Sequence, residues 1–456
     1  MKLGSELDTI SSFEIEKHIK FFISKSCYSG KINHILRTTS PDISREFCRS
    51  FNYLRTKFFA ALIDVNPELI RSHAAFLGGG KNFVFEVCNR FPNDINLLNF
   101  TSNNFLRDLQ NALDCLPSKI WSKCFPDNVQ EIPSGALVNL RYCVKKLQQK
   151  LTIFFEGLDF NVRLGSAKKD NPAFANFLLD AQNSSSSCLI TQIPQIYGLL
   201  LNDTEFSCTM RLRCFILPDN VPHNLNYKCI SKISPNHLFN CKHFITFRSK
   251  VHDAVRDQLY CMSKSHRIVS YLEPLLSRLV DEDILNSFGR NRGDLMLEGL
   301  EGTTIITDVR STDACNDSFI PMAQSKYRDP LTVSEKSKID KYKPKLLSLN
   351  AESRTHYVLC PFAVSFHGTL GYLALSFLDD FLEIVKQRTG RVFDKSFWQN
   401  RIVFSIFKGV VPLLSSALLS LGRVYERKPS SQFFLADLGY EDIEFYPGRI
   451  VYFLLE

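Results

Sequence analysis

The stretches GRNRGDLML (residues 289–297) and TTIITDVRST (residues 303–312) each combine a short apolar, strand-like run with a single aspartate. Only EGLEG, residues 298–302, separates them, and a short glycine-containing link between two such runs is typical of a β-hairpin. We therefore predict two antiparallel strands, one carrying Asp294 and the other carrying Asp308.

The centre of the hairpin turn decides how the two aspartates meet. If Glu301 lies at the centre, Asp294 is directly opposite Asp308, and if Leu300 does, the two are diagonal neighbours. Either register puts both carboxylates on one face, roughly 5–8 Å apart. Two like charges this close favour a cation between them, and oxygen ligands with open positions suit Mg²⁺ or Mn²⁺. Such an ion can polarise a phosphate and activate water. The alternative without a metal is that Asp294 caps a turn and Asp308 ends an edge strand that faces solvent.

Arginines flank both aspartates. Alternation along regular strands places Arg292 and Arg310 on the same face as the two carboxylates. Arginine offers fork-shaped donors to a phosphate but does not act as a base at neutral pH. We therefore predict that Arg310 binds or stabilises a phosphate group.

A lysine-rich segment follows the hairpin. In KSKIDKYKP, residues 336–344, Lys338 is followed by Lys341 and Tyr342 at spacings of three and four. On a helix, Lys338 shares a face with Lys341 or with Tyr342, and that face is a candidate for the same site. The alternative is a solvated basic helix.

The segment at residues 227–244 contains Cys229, His237, Cys241 and His243, which are residue types that bind zinc. A tetrahedral zinc site needs four ligands, but the second cysteine that normally opens a knuckle is missing before Cys229. The segment predicts either a weak zinc site, completed by His243 or a distant cysteine, or a degenerate knuckle without metal.

A basic stripe follows the knuckle. In FRSKVHDAVRDQLY, residues 247–260, Arg248, His252 and Arg256 recur every four residues, while valines and a leucine occupy another helical face. Such a stripe can follow a phosphate backbone, so we predict nucleic-acid contacts there. An ordinary solvated face is the alternative.

Composition bounds the protein class. The 456 residues are 45% hydrophobic, enough for two or three packed domains, and the net charge of +8 weakly favours a polyanionic partner. Fourteen scattered cysteines fit reduced thiols better than a disulfide framework. No apolar run near Met1 resembles a signal peptide, and no segment suits a membrane span, so we expect an intracellular protein without a membrane partner.

Periodicity divides the chain. Apolar residues recur at three and four up to about residue 180, whereas short strand-like runs mix with helical patterns after residue 270. We predict an α+β multidomain protein with a helical N-terminal half and a mixed α/β second half. The predicted limits are 1–183 (helical), 184–265 (linker, knuckle and basic helix), 266–425 (α/β) and 426–456 (tail).

The order of the motifs resembles the C-terminal region of reverse transcriptases encoded by non-LTR-type retroelements, over about residues 185–420. The matching stretches, in chain order, are LITQIPQIYG, NDTEFSCTMRLRCFILP, the Cys/His segment, HDAVRD, LEP, RNRGDLML, IITDVRST, KIDKY and YVLCPFAVSFHGTLG. Those proteins carry a Cys/His knuckle before a restriction-endonuclease-like domain. A weaker resemblance over residues 1–180, in KINHILRTTSP and FNYLRTKFFAAL, is to the thumb-like helices that follow a polymerase palm.

The resemblance implies a nuclease core of three carboxylates and a basic helix: Glu273, Asp294, Asp308, Lys338, Lys341 and Tyr342. In it Glu273 is an accessory carboxylate, the two aspartates are ligands of Mg²⁺ or Mn²⁺, and the knuckle residues are zinc ligands. The chain departs from the family pattern where Arg310 replaces a lysine and where the knuckle lacks a cysteine.

The tetrapeptide FLDD, Phe377 to Asp380, imitates a polymerase motif. It lies inside GYLALSFLDDFLEIVKQ, whose apolar spacing predicts a helix, whereas a polymerase carboxylate pair belongs on a hairpin. We therefore predict no polymerase site in this chain.

The leading functional hypothesis is a retroelement-derived, metal-dependent DNA endonuclease-like protein. The alternatives are a catalytically inactive nucleic-acid-binding remnant and a folded relic with no activity. The expected partners are DNA and, for a protein of this origin, RNA of the parent element, and the expected location is the nucleus. The oligomeric state is left open.

Overall fold

The structure is a computed structural model. It describes residues 2–28, 41–67, 160–161, 164–181, 183, 185–194, 198–216, 239–240, 245–274, 293–319, 330–352 and 356–419. These residues form helices around a four-stranded mixed sheet, so the α+β class predicted from the sequence is confirmed. None of the described helices combines the length and apolar character that a bilayer crossing requires.

The described part of the N-terminal half is helical. Its helices are α1 (Lys2–Ser12), α2 (Lys17–Ile23), α3 (Pro41–Leu62) and α4 (Pro172–Ala181). The helices predicted from EIEKHIKFFI and FNYLRTKFFAALIDV correspond to α2 and α3. The predicted helices NNFLRDLQNALDCL and ALVNLRYCVKKLQQKLTIFFEGL lie outside the described residues.

The rest of the described chain alternates helices and strands. Its elements are α5 (Cys188–Thr191), α6 (Asp203–Arg213), α7 (Ile245–Ser265), β1 (Ser270–Leu272), β2 (Leu295–Glu298), β3 (Thr303–Thr312), α8 (Pro330–Glu352), β4 (His356–Ser365), α9 (Tyr372–Thr389) and α10 (Lys395–Leu419). FLDD lies within α9, as predicted, and the predicted tail at 426–456 lies outside the described residues.

The sheet has the strand order β1-β2-β3-β4. β1 and β2 are antiparallel, as are β2 and β3, whereas β3 and β4 are parallel. A parallel pair needs a crossover connection, and α8 lies in the segment that links these two strands. The mixed sheet therefore combines one tight hairpin with one helical crossover.

Alternating side chains give the sheet two buried faces. Leu295, Leu297, Ile305 and Val309 belong to a large core that includes residues of α7, α9 and α10. On the opposite face, Ile306 packs with residues of α8. Because helices cover both faces, the polar residues of β2 and β3 are held between layers rather than in open solvent.

The N-terminal helices share the large core with the second half of the chain. Phe21 of α2 contacts Phe59 of α3 and Phe206 of α6, with ring centroids 5.6 Å apart in both pairs. Ser185 and Ser186, at the predicted boundary, are buried, and the Ser185 hydroxyl donates to the Gly368 carbonyl. The domain limits remain predictions, but in the described residues the core is continuous across residue 183.

The start of α9 depends on a buried carboxylate. Glu335 of α8 is 3% exposed, and its Oε1 accepts a hydrogen bond of 2.9 Å from the Leu373 amide. A carboxylate at this position satisfies a free amide and interacts favourably with the positive end of the helix dipole. Gly371, the N-cap residue, leaves room for it, because a Cβ there would overlap Glu335 and lie 3.2 Å from the Ala363 carbonyl oxygen.

We expect Gly371→Ala to lower the free energy of unfolding by about 1–3 kcal/mol, because the added methyl group forces the Glu335 carboxylate away from the Leu373 amide. The matched control is Gly165→Ala, since a Cβ at Gly165 meets nothing within 4 Å. Urea unfolding of both variants measures the effect. An equal stability for both variants would contradict the capping role of Glu335.

Past the end of β3 lies a second buried polar cluster. Asp313 is 5% exposed, and its carboxylate accepts hydrogen bonds of 2.9 Å from the Cys315 amide and 2.5 Å from the Asn240 side chain. Nearby, His367 Nδ1 lies 2.9 Å from the carboxylate of Asp180, a residue of α4. Burial raises the pKa of Asp313 from 3.8 to about 6, against the lowering effects of His367, Cys315 and Asn240.

This raised pKa gives a pH-dependent stability with a definite sign. The folded state keeps a proton that the unfolded chain releases near pH 3.8, so the stability contributed by the protonated group is lost as the pH rises through about 6. Relative to Asp313→Asn, we expect the wild type to lose about 3 kcal/mol between roughly pH 4 and pH 7. Urea unfolding across this range tests it, with the exposed Asp8→Asn as control. A difference in the free energy of unfolding between the wild type and Asp313→Asn that stays constant with pH would contradict this prediction.

Candidate active site

The register of the hairpin brings the two aspartates together. Leu295 pairs with Thr307, so the next position along the same register pairs Asp294 with Asp308. This is the register centred on Glu301, the first of the two that the sequence allows. Glu301 itself has φ of 50° in the turn.

A third carboxylate lies in the same row. Leu272 of β1 pairs with Leu295 of β2, and one step further the Glu273 amide donates a hydrogen bond of 3.0 Å to the Asp294 carbonyl. We call Glu273, Asp294 and Asp308 the acid row. The backbones of these three residues are neighbours where β1 ends, where β2 begins and within β3.

Asp294 is fixed by two hydrogen-bonding partners. Its Oδ2 accepts a hydrogen bond of 2.6 Å from the Val309 amide, and the same oxygen lies 3.0 Å from Nε2 of His252. The carboxyl side chain is 16% exposed. Both partners contact Oδ2, so within the described residues Oδ1 receives no hydrogen bond.

Asp308 is reached from the other side of the sheet by α8. Nζ of Lys338 donates a hydrogen bond of 2.5 Å to Oδ1 of Asp308, whose side chain is only 6% exposed. Tyr342, one helical turn further, is 3% exposed and hydrogen-bonds the same carboxylate. The spacing of four residues therefore places Lys338 and Tyr342 together on Asp308, which is one of the two pairings allowed by the sequence.

Glu273 also has a cationic partner. Nη1 of Arg256 lies 2.5 Å from Oε1 of Glu273, and the same guanidinium contacts Asp253 and Asp257 on α7. His252 and Arg256 were predicted to follow a nucleic-acid backbone. In the structure both side chains contact the acid row, His252 through Asp294 and Arg256 through Glu273.

The charges of the site are mutually dependent. Burial opposes ionisation of Asp294, but His252, the Val309 amide and Lys338 outweigh it and lower the pKa of this carboxyl group. Burial likewise opposes protonation of His252, while Asp294 and Asp253 raise the pKa of its imidazole. The pair is therefore held as a carboxylate and an imidazolium over a wider pH range than either group alone would be.

Tyr342 remains a neutral phenol. Burial, followed by the charge and hydrogen bond of Asp308 and the charge of Asp294, raises the pKa of its hydroxyl group. A neutral phenol can donate a hydrogen bond to a carboxylate but supplies no anion at neutral pH. Its place in the site is that of a donor to Asp308.

The remaining predicted site residues fall into two groups. Arg310 is exposed on β3 two residues beyond Asp308, and Lys341 lies over the ring of Tyr342, with Nζ 4.7 Å from the ring centroid. Lys341 was predicted as a partner of the metal site, but its described contacts are with Tyr342. Arg248 is half-buried on α7, and the other predicted residues lie outside the described part of the chain: Arg292, Cys229, His237, Cys241 and His243.

The donor set can be compared with what a divalent cation needs. Among the residues that the structure describes, no group of three or more His, Cys, Asp or Glu side chains is placed to hold a metal ion. Mg²⁺, however, is commonly held by one or two carboxylates, with water and substrate phosphate completing its shell. Asp294 and Asp308 fit that requirement, since they are hard oxygen donors placed opposite each other by the hairpin register and Oδ1 of Asp294 is not occupied by a described donor.

The sequence contained a signal for the inward position of His252 and Arg256. On a helix His252 and Arg256 lie about 60° and 100° from the centre of the stripe formed by Val251, Val255 and Leu259, whereas a fully solvated face lies opposite such a stripe. The three apolar residues are 1%, 0% and 0% exposed. A basic residue that borders a buried stripe lies at the edge of the interface, where it can contact the neighbouring layer.

No family model and no curated protein sequence matches this chain. The functional interpretation therefore depends on the geometry of the acid row and on the order of the motifs.

Proposed function

We propose that the chain is a metal-dependent DNA endonuclease-like protein whose α/β part has a restriction-endonuclease-like core. The observation that carries the proposal is that the hairpin register places Asp294, just before β2, opposite Asp308 of β3, while Lys338 of α8 hydrogen-bonds Asp308. Two carboxylates and one lysine are a set suited to hydrolysis of a phosphodiester bond.

In this proposal Asp294 and Asp308 hold Mg²⁺ or Mn²⁺. A bound ion of this kind supplies an activated water and neutralises charge that develops on the phosphate. Lys338, which hydrogen-bonds Asp308, offers its side-chain amino group next to the scissile phosphate, whereas Arg310, exposed on β3, binds a neighbouring phosphate. Tyr342 donates to Asp308 and fixes the carboxylate plane.

The expected partners follow from the same site. DNA is the proposed substrate, RNA of a parent element is a further proposed partner, and the nucleus is the proposed location. Zinc at Cys229, His237, Cys241 and His243 remains a proposal too, because the knuckle lies outside the described residues. The origin from a non-LTR-type retroelement rests on the order of the motifs.

A second candidate function is a nucleic-acid-binding remnant without cleavage. The observation that favours it is the internal pairing of the acid row, in which each of its three carboxylates contacts one cationic or basic side chain: Arg256, His252 and Lys338. Three cations opposite three anions form an arrangement that is electrostatically satisfied by the protein alone.

Nicking of supercoiled DNA with Mg²⁺ distinguishes the two functions. Cleavage by the wild type that is lost in Asp294→Asn and Asp308→Asn supports the nuclease. Binding that weakens with salt, with no cleavage, supports the remnant, because phosphate contacts release counterions.

A further inference from the structure

We infer that His252 is a positioning residue of the proposed metal site and not a phosphate contact. The inference rests on the proposed function, since it assigns a role at the same site. It concerns how Asp294 is oriented, because His252 approaches that carboxylate from α7 while Asp308 is reached from α8.

The helix that carries His252 is held firmly against the core. Val251 and Val255 are 1% and 0% exposed, and at Gly409 of α10 a Cβ would lie 2.8 Å from Cα of Val251. The two helices therefore touch at backbone distance next to His252. A side chain on such a fixed helix can define the position of the group that it contacts.

The hydrogen bond has a definite direction. A carboxylate only accepts hydrogen bonds, so at 3.0 Å Nε2 of His252 carries the proton and donates it to Oδ2 of Asp294. On the other side of the ring, Nδ1 lies 3.3 Å from Oδ1 of Asp253. The imidazole is thus oriented between Asp253 on its own helix and the carboxylate of Asp294.

Two donors on the same oxygen fix the carboxylate plane. Together with the Val309 amide at 2.6 Å, His252 holds Oδ2 of Asp294 and leaves Oδ1 as the oxygen for a cation. Partners that orient a metal ligand are commonly worth about 10–100-fold in metal affinity or activity. Loss of the His252 donor should therefore weaken the affinity for the metal ion and leave the affinity for DNA unchanged.

The experiment compares three substitutions that differ in reach. In His252→Gln the amide nitrogen replaces Nε2 and can still reach Asp294, whereas in His252→Asn it replaces Nδ1 and cannot. Mn²⁺ binding is measured by electron paramagnetic resonance, nicking is measured against Mg²⁺ concentration, and DNA affinity is measured without metal. His356→Ala, at an exposed histidine at the start of β4, is the control.

We expect His252→Ala and His252→Asn to weaken Mn²⁺ binding and raise the Mg²⁺ requirement by about 10–100-fold, with DNA affinity unchanged. His252→Gln should retain most of the Mn²⁺ affinity and a Mg²⁺ requirement close to that of the wild type. A loss of DNA affinity at unchanged Mn²⁺ affinity, or no restoration by glutamine, would overturn the inference. If the wild type binds Mn²⁺ but does not nick DNA, the proposed function fails while the Mn²⁺ series still decides the role of His252. If the wild type binds no Mn²⁺, both are overturned.

Discussion

Asp308→Asn is expected to lower Mg²⁺-dependent nicking of supercoiled DNA by about 100-fold or more, and Asp294→Asn by a similar factor. Each change keeps the size of the side chain but removes one of the two charges that would hold the cation. Asp308 is the more buried of the two, with a side chain 6% exposed, so water replaces its lost oxygen poorly. The measurement is the initial nicking rate of each purified variant at saturating Mg²⁺.

The chain supplies a matched control for this experiment. Asp379 and Asp380 form the acidic pair of FLDD on α9, where Asp379 contacts Lys395 at the surface. Asp379→Asn and Asp380→Asn remove the same charge without touching the acid row, so their nicking rates should equal that of the wild type. Equal rates for all four variants would exclude the acid row as the site of cleavage, and so would a loss of nicking in the α9 variants alone.

The hairpin was predictable from local pattern alone. A strand of period two, a short turn with Gly302, and a second strand of period two leave few registers. The two that the sequence allowed have turn centres one residue apart and therefore keep both aspartates on one face. Contacts within α8 were predictable for the same reason, since Lys338 and Tyr342 are one turn apart. What the pattern did not decide was which of Lys341 and Tyr342 shares the face, because both spacings are helical.

The pairing of α7 with the acid row was not predictable in this way. His252 lies 42 residues before Asp294 in the chain, and the contact exists because α7 packs across the sheet through its apolar stripe. A basic residue beside such a stripe is equally compatible with solvent, with phosphate and with a neighbouring carboxylate. Only the placement of β1 and β2 under the helix selects the third possibility.

The packing of the N-terminal helices against the second half of the chain was also not predictable from the local sequence pattern. Composition changes near the serine run at residues 184–187, which suggested a linker, yet two of those serines are buried. Ser186 accepts a hydrogen bond of 2.8 Å from Nη1 of Arg213 through its carbonyl oxygen. Small polar residues occur both in linkers and in close-packed turns, and tertiary contacts decide between the two.

We expect Phe21→Ala to destabilise the second half of the chain as well as the first. The ring is 6% exposed and contacts Phe59 and Phe206, so its removal leaves a cavity where α2, α3 and α6 meet. Truncation of a buried phenylalanine costs about 3–5 kcal/mol. If the core is continuous, that loss of stability also lowers the urea concentration at which the surroundings of Trp398 in α10 unfold. Trp398 is 5% exposed and donates a hydrogen bond to His266.

Urea unfolding followed by the fluorescence of Trp398 measures this, in a Trp121→Phe background that leaves Trp398 as the only tryptophan of the chain. Phe21→Ala should shift the Trp398 transition to lower urea, because one cooperative core unfolds as a unit. Phe13→Ala, at a ring that is 44% exposed in the same N-terminal segment, should leave it in place. A Trp398 transition that Phe21→Ala does not move would mean that residues 1–183 unfold independently, since α2 would then contribute nothing to the stability of α10.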